Sequence, residues 1–300
     1  MYLLITGASG HIGSSIAHLC NKKKIKTILL TRSEKKKNYL KKRFKNCLIE
    51  TFKNFKKNKN KINYVVHAAS INDKYSNKNK NAVDISLNIT KKIFSNIDKS
   101  YLKKIIYLST AQVYGSNLNF KVSENTLLEP INNYGLSRQA NELYLETLSK
   151  KFNLNLIILR LSNVVGDPII FDKNCLRLLP NDIKNQANKS GIIQLKSSGK
   201  QSRNFISLYS TSRLIIELIK IKVNGIQKLN LGGVNTSVIS FVKKFILLYS
   251  KKNKRKIKLI IKSAEPKKVK KLFYQDSKIR KLLKIRRRDN LEFIVKNFIN

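Results

Sequence analysis

The chain has few cysteines, few acidic residues and no long apolar run, and each shortage excludes a class of protein. Its three cysteines, Cys20, Cys47 and Cys175, form an odd, scattered set without metal-ligand spacing, so we expect reduced thiols. No apolar run approaches the roughly 20 residues that a membrane-spanning helix needs. Met1 is followed at once by an apolar core segment, without the basic and cleavable segments of a signal peptide. We therefore expect a cytoplasmic protein with no membrane span.

Acidic residues are outnumbered, because 17 Asp and Glu face 62 Lys and Arg, and the net charge is +45. Such a charge raises the question of a nucleic-acid partner. The basic residues are spread along the whole chain with abundant Asn and Ile, which is typical of a codon bias towards A and T. They do not alternate with aromatic residues, and neither zinc-finger spacing nor a heptad zipper is present, so we expect no nucleic-acid partner. The three histidines, His11, His18 and His67, form no metal or triad grouping, so we expect no metal site.

Short apolar runs alternate with amphipathic segments through the first half of the chain. The expected strands are Tyr2–Thr6, Thr27–Thr31, Tyr64–His67, Ile105–Ser109 and Leu156–Leu161. Their nearly continuous apolar sequence is typical of strands that are covered on both faces. The expected helices are His11–Asn21, Asp84–Ser95 and Ser137–Lys151, and the polar stretch Phe52–Asn63 is expected to be a surface connection. This alternation predicts an α/β fold with a Rossmann-type, doubly wound parallel sheet.

After Gly166 the pattern is less regular, and few clear strands are evident between Asp167 and Gly199. The expected elements are a helix near Leu178–Ser190, strands at Gln201–Leu208, Lys228–Leu231 and Ile257–Ile261, and a final helix at Asn290–Phe298. We predict a large domain over residues 1–166, completed by elements near residues 203–235. A smaller C-terminal lobe over residues 167–300, interleaved with it, is expected to cover the carboxyl edge of the sheet.

A glycine-rich turn joins the first expected strand to the first expected helix, since residues 6–13 read Thr-Gly-Ala-Ser-Gly-His-Ile-Gly. Gly7 would allow a tight turn, Gly10 would let the backbone approach a phosphate, and Gly13 would let the helix pack close to the strand. The free N–H groups and the positive dipole end of the helix would face the anion. The sequence therefore predicts a site for a dinucleotide pyrophosphate.

Further motifs follow in a consistent order along the chain. They are Leu108–Gly115 (LSTAQVYG), Tyr134–Arg138 (YGLSR), Arg160–Gly166 (RLSNVVG), Arg203–Ile206 (RNFI), and, before these, His67–Ala69 at a strand end. Together with the glycine turn, they resemble the extended short-chain dehydrogenases/reductases of the NAD-dependent epimerase/dehydratase family, from Tyr2 to about Asp276. The resemblance implies NAD or NADP as cofactor, a nucleotide-sugar substrate and a C-terminal lobe that binds it. The implied cofactor-binding residues are Gly7, Ser9, Gly10, His11, Ile12, Gly13, Arg32, His67, Ala68, Ala69, Tyr134 and Arg138.

The resemblance makes Tyr134 the candidate acid/base, which takes a hydroxyl proton from the sugar while a hydride passes to the nicotinamide. A tyrosine can do this only if its pKa, about 10 when free, is lowered, and a nearby cation lowers it. In the family this cation is a lysine four residues later on the same helix face, where it also holds the nicotinamide ribose. Here the position is Arg138, whose planar, forked side chain keeps the charge, and Arg138→Lys is expected to preserve or raise turnover. Thr110, at the family's Ser/Thr position, would hydrogen-bond the reacting oxygen.

The reaction is narrowed by the residues that follow Thr110. The 4,6-dehydratases of the family carry Asp-Glu there, whereas this chain has Ala111-Gln112, which argues against dehydration. The resemblance then implies an NAD(P)-dependent nucleotide-sugar epimerase, acting at C4 through a transient keto-sugar in surface-polysaccharide precursor synthesis. One alternative is an NADPH-dependent reductase of a nucleotide keto-sugar. The other is a non-catalytic NAD(P)-binding sensor, because arginine for lysine is not a conservative change at a geometry-sensitive site.

The choice between NAD and NADP depends on the end of the second strand. NAD enzymes often place an acidic residue there, which bonds the ribose 2′-OH. This chain has Arg32 at that place, with Glu34 further on. Because an arginine can pair with a 2′-phosphate, the sequence favours NADP.

The resemblance assigns Thr110, Asn163 and Arg203 to the substrate, with Asn163 near the pyrophosphate and Arg203 as a phosphate clamp. The chain departs from the family pattern at three places. Asn204 stands where the family has Asp, and Ser207–Ser210 replaces the family's His-Val-Asp-Asp. Lys267 or Lys268 lies near the position of the family's second phosphate-binding arginine. Homodimers are common in the family, through helices such as Asp84–Ser95 and Ser137–Lys151. No residue pattern in this chain establishes one.

Overall fold

The computed structural model describes residues 2–55, 61–170, 173–262, 271–285 and 289–300. Its strands are β1 (Tyr2–Thr6), β2 (Thr27–Thr31), β3 (Cys47–Thr51), β4 (Ile62–His67), β5 (Lys104–Thr110), β6 (Lys121–Val122), β7 (Asn155–Leu161), β8 (Asn163–Val165), β9 (Ile192–Leu195), β10 (Ser202–Ser207), β11 (Ile226–Leu231), β12 (Val234–Ser237), β13 (Lys258–Ile261) and β14 (Phe273–Tyr274). Seven of them form the central sheet, in the order β11-β7-β5-β4-β1-β2-β3. All six neighbouring pairs in this sheet are parallel, so their carboxyl ends share one edge.

Helices cover both faces of this sheet. The helices are α1 (His11–Lys22), α2 (Glu34–Arg43), α3 (Asp73–Lys78), α4 (Ala82–Ser95), α5 (Asn133–Lys151), α6 (Leu179–Ser190), α7 (Leu208–Lys220), α8 (Val238–Asn253), α9 (Ser277–Leu283) and α10 (Leu291–Ile299). On one face, α1 and α7 share a core with Leu3 and Ile5 of β1. On the other face, α4 and α5 share a second core with Leu4. Successive residues of a strand thus enter different cores, which explains the continuous apolar runs.

Short polar side chains begin many of these helices. Ser207 and Ser237 accept hydrogen bonds from the backbone of the first turns of α7 and α8. Asn132 does the same for α5, and Asn290 for α10. Each cap satisfies an N–H group that has no partner inside its helix. Helix α1 differs, because it begins after Gly10, which has no capping side chain.

A second group of elements comes from the second half of the chain. Strands β8, β10 and β12 form a three-stranded sheet, and β9 pairs with β13. They share a core with α8 and α10, in which Phe241, Phe245 and Phe298 are at most 1% exposed. The rings of Phe245 and Phe298 lie 5.9 Å apart, so aromatic contacts hold α8 against α10.

The predicted fold class is confirmed, and β1 and β2 have the expected bounds. The strand β3 and the helix α2 were not expected. The strand β3 lies at the sheet edge, where Leu48 is 47% exposed, and α2 buries a single residue, Leu40. Polar edge elements of this kind carry little periodic apolar signal.

The sequence interpretation also missed α7 and α8, and it expected few strands where β9 lies. Both helices are rich in Ile, Val, Leu or Phe, whose short runs suit a strand or a helix equally well.

Part of the expected surface connection Phe52–Asn63 lies at residues 56–60, outside the described residues, whereas Phe55 is buried. The domain division at residue 166 stays a prediction, although β11 does join the central sheet. Within the described ranges, no helix is both long and apolar enough to cross a bilayer.

Candidate active site

The glycine turn lies between the carboxyl end of β1 and the start of α1. Gly7 has φ +65°, and a Cβ atom there would lie 2.8 Å from the carbonyl carbon of Ala68 and the nitrogen of Ala69. A Cβ atom at Gly13 would lie 2.3 Å from the Gly7 carbonyl oxygen. The backbone of α1 therefore packs directly on the turn, and the turn packs directly on the end of β4. Gly10, at the N-cap of α1, leaves the first N–H groups of the helix without a capping side chain, which suits an anion.

The side chains next to the turn form hydrogen bonds with other residues of the protein. Thr31 Oγ1 donates to Ser9 Oγ at 3.2 Å, which joins the ends of β2 and the turn. His11 Nε2 lies 2.8 Å from the carbonyl oxygen of Gly166, so it donates a proton there and ties α1 to the end of β8. Burial lowers the pKa of His11. The side chains of Ser9 and His11 thus take part in contacts within the protein, and their contacts with a cofactor stay a prediction.

His67 is fully buried below the turn, at the end of β4. Its Nε2 lies 3.0 Å from Thr90 Oγ1 on α4, and its Nδ1 lies 2.8 Å from Thr6 Oγ1 on β1. Thr6 Oγ1 also accepts the N–H of Ala69 at 3.0 Å. Burial, followed by the nearby charge of Arg138, lowers the pKa of His67 to about 3. The neutral ring thus supports the edge where the backbone of Ala69 passes, and the ring itself does not face a ligand.

Arg32 is exposed at the end of β2, one residue before Ser33, which caps α2. Among the described residues, no carboxylate pairs with Arg32. The neighbouring Glu34 carboxylate accepts hydrogen bonds from Thr51 Oγ1 and Asn54 Nδ2, both 3.3 Å long. Glu34 is therefore directed to the β3 side, and the arginine is the charged group at the strand end.

Tyr134 and Arg138 lie on consecutive turns of α5, on the face that packs on β5. Arg138 Nη2 donates to Tyr134 Oη at 3.1 Å, and Nη1 donates to the carbonyl oxygen of Leu108 at 2.9 Å. The two prongs of the guanidinium thus bridge the helix and the strand. Thr110, two residues beyond Leu108, ends β5, and its Oγ1 accepts the N–H of Gln112 at 3.3 Å. The structure therefore brings all three predicted catalytic residues to one edge.

One turn further along α5, Glu142 forms a fully buried ion pair that the sequence interpretation missed. Glu142 and Arg160 are 1% and 2% exposed, and Oε2 and Nη2 lie 2.8 Å apart. Ser109 Oγ donates to Glu142 Oε1 at 2.5 Å, and Arg160 Nη1 donates to Tyr114 Oη at 3.0 Å. Tyr114 Oη donates in turn to Asn230 Oδ1 at 2.7 Å. This buried network joins β5, α5, β7 and β11, and so fixes the helix that carries Tyr134 against the strand that carries Thr110.

A distant segment completes the buried network. Strand β14 pairs with β6, and this pairing brings Tyr274 into the core. Tyr274 Oη lies 3.0 Å from the carbonyl oxygen of Arg160 and 3.0 Å from Asn230 Oδ1. Tyr274 thus joins β14 to the network, in which the buried Asn230 Nδ2 has no partner among the described residues.

Of the three predicted substrate residues, Thr110 ends β5, Asn163 begins β8 and Arg203 lies on β10. Asn163 Nδ2 donates to the carbonyl oxygen of Asn204 at 2.8 Å, and Arg203 is exposed on β10. Asn204 itself is buried, accepts the N–H of Gly233 and donates to Asn235, both at 2.9 Å. It is therefore a structural residue. Lys267 and Lys268 lie outside the described residues, and no group of three or more potential metal ligands occurs within those residues.

The residues that replace the family's His-Val-Asp-Asp begin α7. Asp289, from the segment before α10, accepts the N–H of Ser207 at 3.2 Å and the Ser210 hydroxyl at 2.8 Å. A carboxylate from elsewhere in the chain thus stabilises the start of this helix.

One side of α5 is partly apolar. Leu136 and Leu143 on α5 are 40% and 59% exposed, and their spacing of two turns places them on one side of the helix. A homodimer stays a prediction.

Comparisons with known proteins agree with this arrangement. The model of the family described as "NAD dependent epimerase/dehydratase family" matches residues 3–232. A UDP-glucose 4-epimerase of Mycoplasma genitalium is 28% identical over 200 residues, which cover 60% of this chain and 58% of that protein. A putative UDP-glucose 4-epimerase of Methanocaldococcus jannaschii is 32% identical over 177 residues, covering 55% and 56%. A dTDP-D-glucose 4,6-dehydratase of Dictyostelium discoideum is 29% identical over 234 residues, covering 68% and 52%. The chain spans about half the length of the curated relatives it matches.

Solved structures share the fold over the whole chain. A UDP-glucose 4-epimerase from Bifidobacterium longum, in complex with NAD+ and UDP, has a TM-score of 0.79 at 21% identity and covers 100% of this chain and 97% of its own. A UDP-glucuronic acid 4-epimerase from Bacillus cereus, in complex with UDP-glucuronic acid and NAD, has a TM-score of 0.80 at 21% identity, covering 100% and 98%. At this identity the likeness concerns the fold. With the family match over more than half of its length, the chain belongs to the NAD-dependent epimerase/dehydratase family.

Proposed function

We propose that the protein is an NAD(P)-dependent nucleotide-sugar epimerase, which acts at C4 of the sugar through a transient keto-sugar. The observation that carries this proposal is the 3.1 Å hydrogen bond from Arg138 Nη2 to Tyr134 Oη, at the edge that also carries Thr110. It places a permanent cation beside the hydroxyl group that the family motif uses for proton transfer. The relatives that are named as 4-epimerases support this reaction class.

The cofactor site fits a dinucleotide. The uncapped start of α1 faces the turn, and the close backbone contacts of Gly7 and Gly13 leave no room for a side chain there. These residues, with Gly10 and the backbone of Ala68–Ala69, would hold the pyrophosphate. A nicotinamide bound there would supply the acceptor and donor for the hydride of the sugar carbon.

Proton transfer is the task of the residues around Tyr134. Tyr134 Oη would take the proton of the C4 hydroxyl, and Arg138, which stays charged, would stabilise the negative charge on Oη before and after that transfer. Thr110 Oγ1 already accepts the N–H of Gln112, so its own hydroxyl proton is available for the reacting oxygen. Asn163 and Arg203 would bind the nucleotide phosphates, and Arg203 pairs with no carboxylate among the residues described.

Two alternatives have observations in their favour. Ala111 and Gln112 carry no proton-transferring group, so dehydration is disfavoured, whereas reduction of a keto-sugar needs only Tyr134 and a hydride donor. The exposed Arg32 favours such a reductase with NADPH. The other alternative is a non-catalytic NAD(P)-binding sensor, and it is favoured by the arginine at the position of the family's lysine. Both ends of the Arg138 guanidinium are already bonded, one to the carbonyl oxygen of Leu108 and one to Tyr134 Oη.

The first experiment is mass spectrometry of the nucleotide released when the purified protein is denatured. Stoichiometric NAD would mean a cofactor that is recycled within each turnover, and would support the epimerase. A protein without bound nucleotide that then binds NADPH far better than NADH would support the reductase, with Arg32 reading the 2′-phosphate.

The second experiment replaces Tyr134 by phenylalanine. We expect kcat for interconversion of a UDP- or dTDP-sugar pair to fall by about 10² to 10⁴, the range for loss of a general acid/base. Tyr39→Phe, at a tyrosine 48% exposed on α2, is the matched control and should keep wild-type kcat. Arg138→Lys should stay within about tenfold of wild type because an ammonium retains the charge. A loss as large as that of Tyr134→Phe would show that the site requires the arginine fork, and a wild type without turnover would support the sensor.

A further inference from the structure

The amino ends of the central strands lie at the edge of the sheet opposite the candidate active site. Hydrogen bonds between the connections hold this edge together. The N–H of Lys103 donates to the carbonyl oxygen of Asn63 at 2.8 Å, and the N–H of Leu156 donates to that of Gly225 at 3.0 Å. Asn63 Nδ2 also donates to the carbonyl oxygen of Tyr101 at 3.1 Å. The connections before β4, β5, β7 and β11 therefore lie side by side.

An exposed lysine precedes each of the six strands from β2 to β11 in this sheet, by at most four residues. These six residues, the lysine edge, are Lys26, Lys45, Lys61, Lys103, Lys151 and Lys222. Within the described residues, no carboxylate pairs with any of them. Glu217, before β11, is paired with Lys220 at 3.0 Å, and Asp98, before β5, accepts the N–H of Ser100 at 2.9 Å. The edge thus carries positive charge that the surrounding side chains do not neutralise.

The carbonyl groups at helix ends attract lysines, but other lysines serve that purpose at α4 and α7. Lys104 is buried, and its Nζ donates to the carbonyl oxygens of Leu218 and Ile219, both at 3.0 Å. Lys99 is half-buried, and its Nζ donates to the carbonyl oxygen of Ile97 at 2.6 Å. The lysine edge forms no such bond within the described ranges, so its ammonium groups are available to a partner.

Two exposed aromatic rings lie among these charges. Tyr101 and Phe152 are 38% and 42% exposed. Lys61 Nζ lies 4.9 Å from the ring centroid of Tyr101, and Lys151 Nζ lies 5.5 Å from that of Phe152. Aromatic side chains next to lysines are typical of surfaces that contact the headgroup region of a membrane.

The same contacts argue against a nucleic acid as the partner. Proteins that bind single strands offer open aromatic faces on which bases stack, whereas here an ammonium group lies over each ring. The six cations are all lysines, and none is an arginine, whose planar fork suits the recognition of nucleic acids. Lysines with covered aromatic rings therefore favour a lipid surface.

We propose that the lysine edge docks the protein on a membrane that contains anionic phospholipids. The lysines contact the charged headgroups, and Tyr101 and Phe152 lie at headgroup depth. Strand β5 spans Lys104–Thr110, so Thr110 lies roughly 20 Å from the edge at about 3.3 Å per residue. The candidate active site then faces away from the lipid and stays open to its substrate. This inference does not depend on the proposed function.

The test is co-sedimentation of the full-length protein with vesicles at about 0.1 M salt, where exposed charges are screened beyond about 10 Å. One set of vesicles contains phosphatidylcholine alone, and the other contains equal parts of phosphatidylcholine and phosphatidylglycerol. The variant combines Lys26→Gln, Lys61→Gln and Lys103→Gln. A second variant, Phe152→Ser, removes one of the two rings.

A triple variant elsewhere is the matched control, because it lowers the net charge equally. It combines Lys189→Gln, Lys196→Gln and Lys243→Gln, at exposed lysines on α6, directly after β9 and on α8. These positions lie outside the central sheet.

We expect the wild type to bind the mixed vesicles and not those of phosphatidylcholine alone. The edge variant should bind the mixed vesicles about 100-fold more weakly, at about fivefold per lysine, and the control should bind like the wild type. Phe152→Ser should weaken binding by a smaller factor. Its turnover, and that of the edge variant, should match the wild type, because neither variant touches the candidate active site.

Three results would overturn the proposal. The first is a wild type that binds neither kind of vesicle, and binding of a labelled oligonucleotide in that case would identify a nucleic acid as the partner. The second is an equal loss in the edge variant and the control, which would mean that net charge alone attracts the protein. The third is wild-type binding by both the edge variant and Phe152→Ser.

Discussion

The glycine turn and the interface between β5 and α5 meet the same edge of the central sheet, but different atoms hold them. At the turn, backbone lies on backbone, with Gly7 against Ala68 and Gly13 against Gly7. At the interface, side chains from four strands and helices meet around Glu142 and Arg160. The turn therefore tolerates no added atom, whereas the interface tolerates no missing charge. The two halves of one candidate site are sensitive to opposite kinds of change.

The largest effect is expected from removing the charge at the interface. Glu142→Ala leaves Arg160 buried without its partner, and we expect a loss of about 3–5 kcal/mol in the free energy of unfolding. The measurement is the midpoint of urea unfolding. Glu217→Ala is the control, because it breaks the exposed Lys220–Glu217 pair and should lose less than about 1 kcal/mol.

A double variant sharpens the result. Glu142→Leu combined with Arg160→Met should be more stable than Glu142→Ala, because no uncompensated charge stays in the core. Equal losses in Glu142→Ala and Glu217→Ala would show that the buried pair does not hold the interface.

A smaller effect is expected from adding one methyl group at the turn. Gly7 and Gly225 both have φ +65°, but a Cβ atom at Gly225 meets nothing within 4 Å. Gly225→Ala therefore measures the backbone strain alone, about 1–2 kcal/mol. Gly7→Ala should lose about 1–3 kcal/mol more, from overpacking against Ala68 and Ala69, and should lose cofactor binding. Thermal unfolding and fluorescence titration with NADH measure both effects, and equal losses in the two variants would contradict the close approach.

The smallest step in stability, about 1.4 kcal/mol for each pH unit, is expected at the fully buried His67 beside the turn. The pKa of His67 is about 3 in the folded protein, against an ordinary value of 6.5. As pH falls below about 6.5, the unfolded chain takes up a proton at His67 that the folded protein does not. The stability therefore falls by about 1.4 kcal/mol per pH unit towards pH 3.

His67→Gln should remove most of this slope between pH 6.5 and 4, measured by urea unfolding at several pH values. His11, whose pKa burial also lowers, accounts for a residual slope. His18→Gln, which makes the same substitution at an exposed position of α1, is the matched control. An unchanged slope in His67→Gln would mean that the buried ring does not stay neutral.

The contrast between the glycine turn and the β5–α5 interface also explains which parts of the fold and of the candidate site the sequence could predict. The turn and β1 depend on neighbouring residues, so the apolar run and the glycine spacing identify them. Tyr134, Arg138 and Thr110 came from a family motif, and the structure brings them together. Glu142 would be placed on the solvent face of a helix by its charge alone, because its partner Arg160 is 18 residues away and is chosen by packing.

The side-chain orientation of Gln112 likewise depends on a residue that is distant in the sequence. The sequence shows that it cannot carry protons as the dehydratase residue does. The direction of its amide depends on Asn132, which lies 20 residues further along the chain. Hydrogen-bond direction is a property of three-dimensional contact, so periodicity and spacing do not contain it.

The contact of Tyr274 with the carbonyl of Arg160 spans 114 residues and has a consequence for protein synthesis. A ribosome that adds about 5–20 residues per second needs roughly 6–23 seconds to cover that separation. For much of this time β11 has not been made either, so β7 is the edge of the nascent sheet, with its hydrogen-bonding groups open to other chains. The nascent chain therefore exposes an unpaired strand edge until β11 (Ile226–Leu231) is translated, and during that time β7 can pair with a strand of another chain.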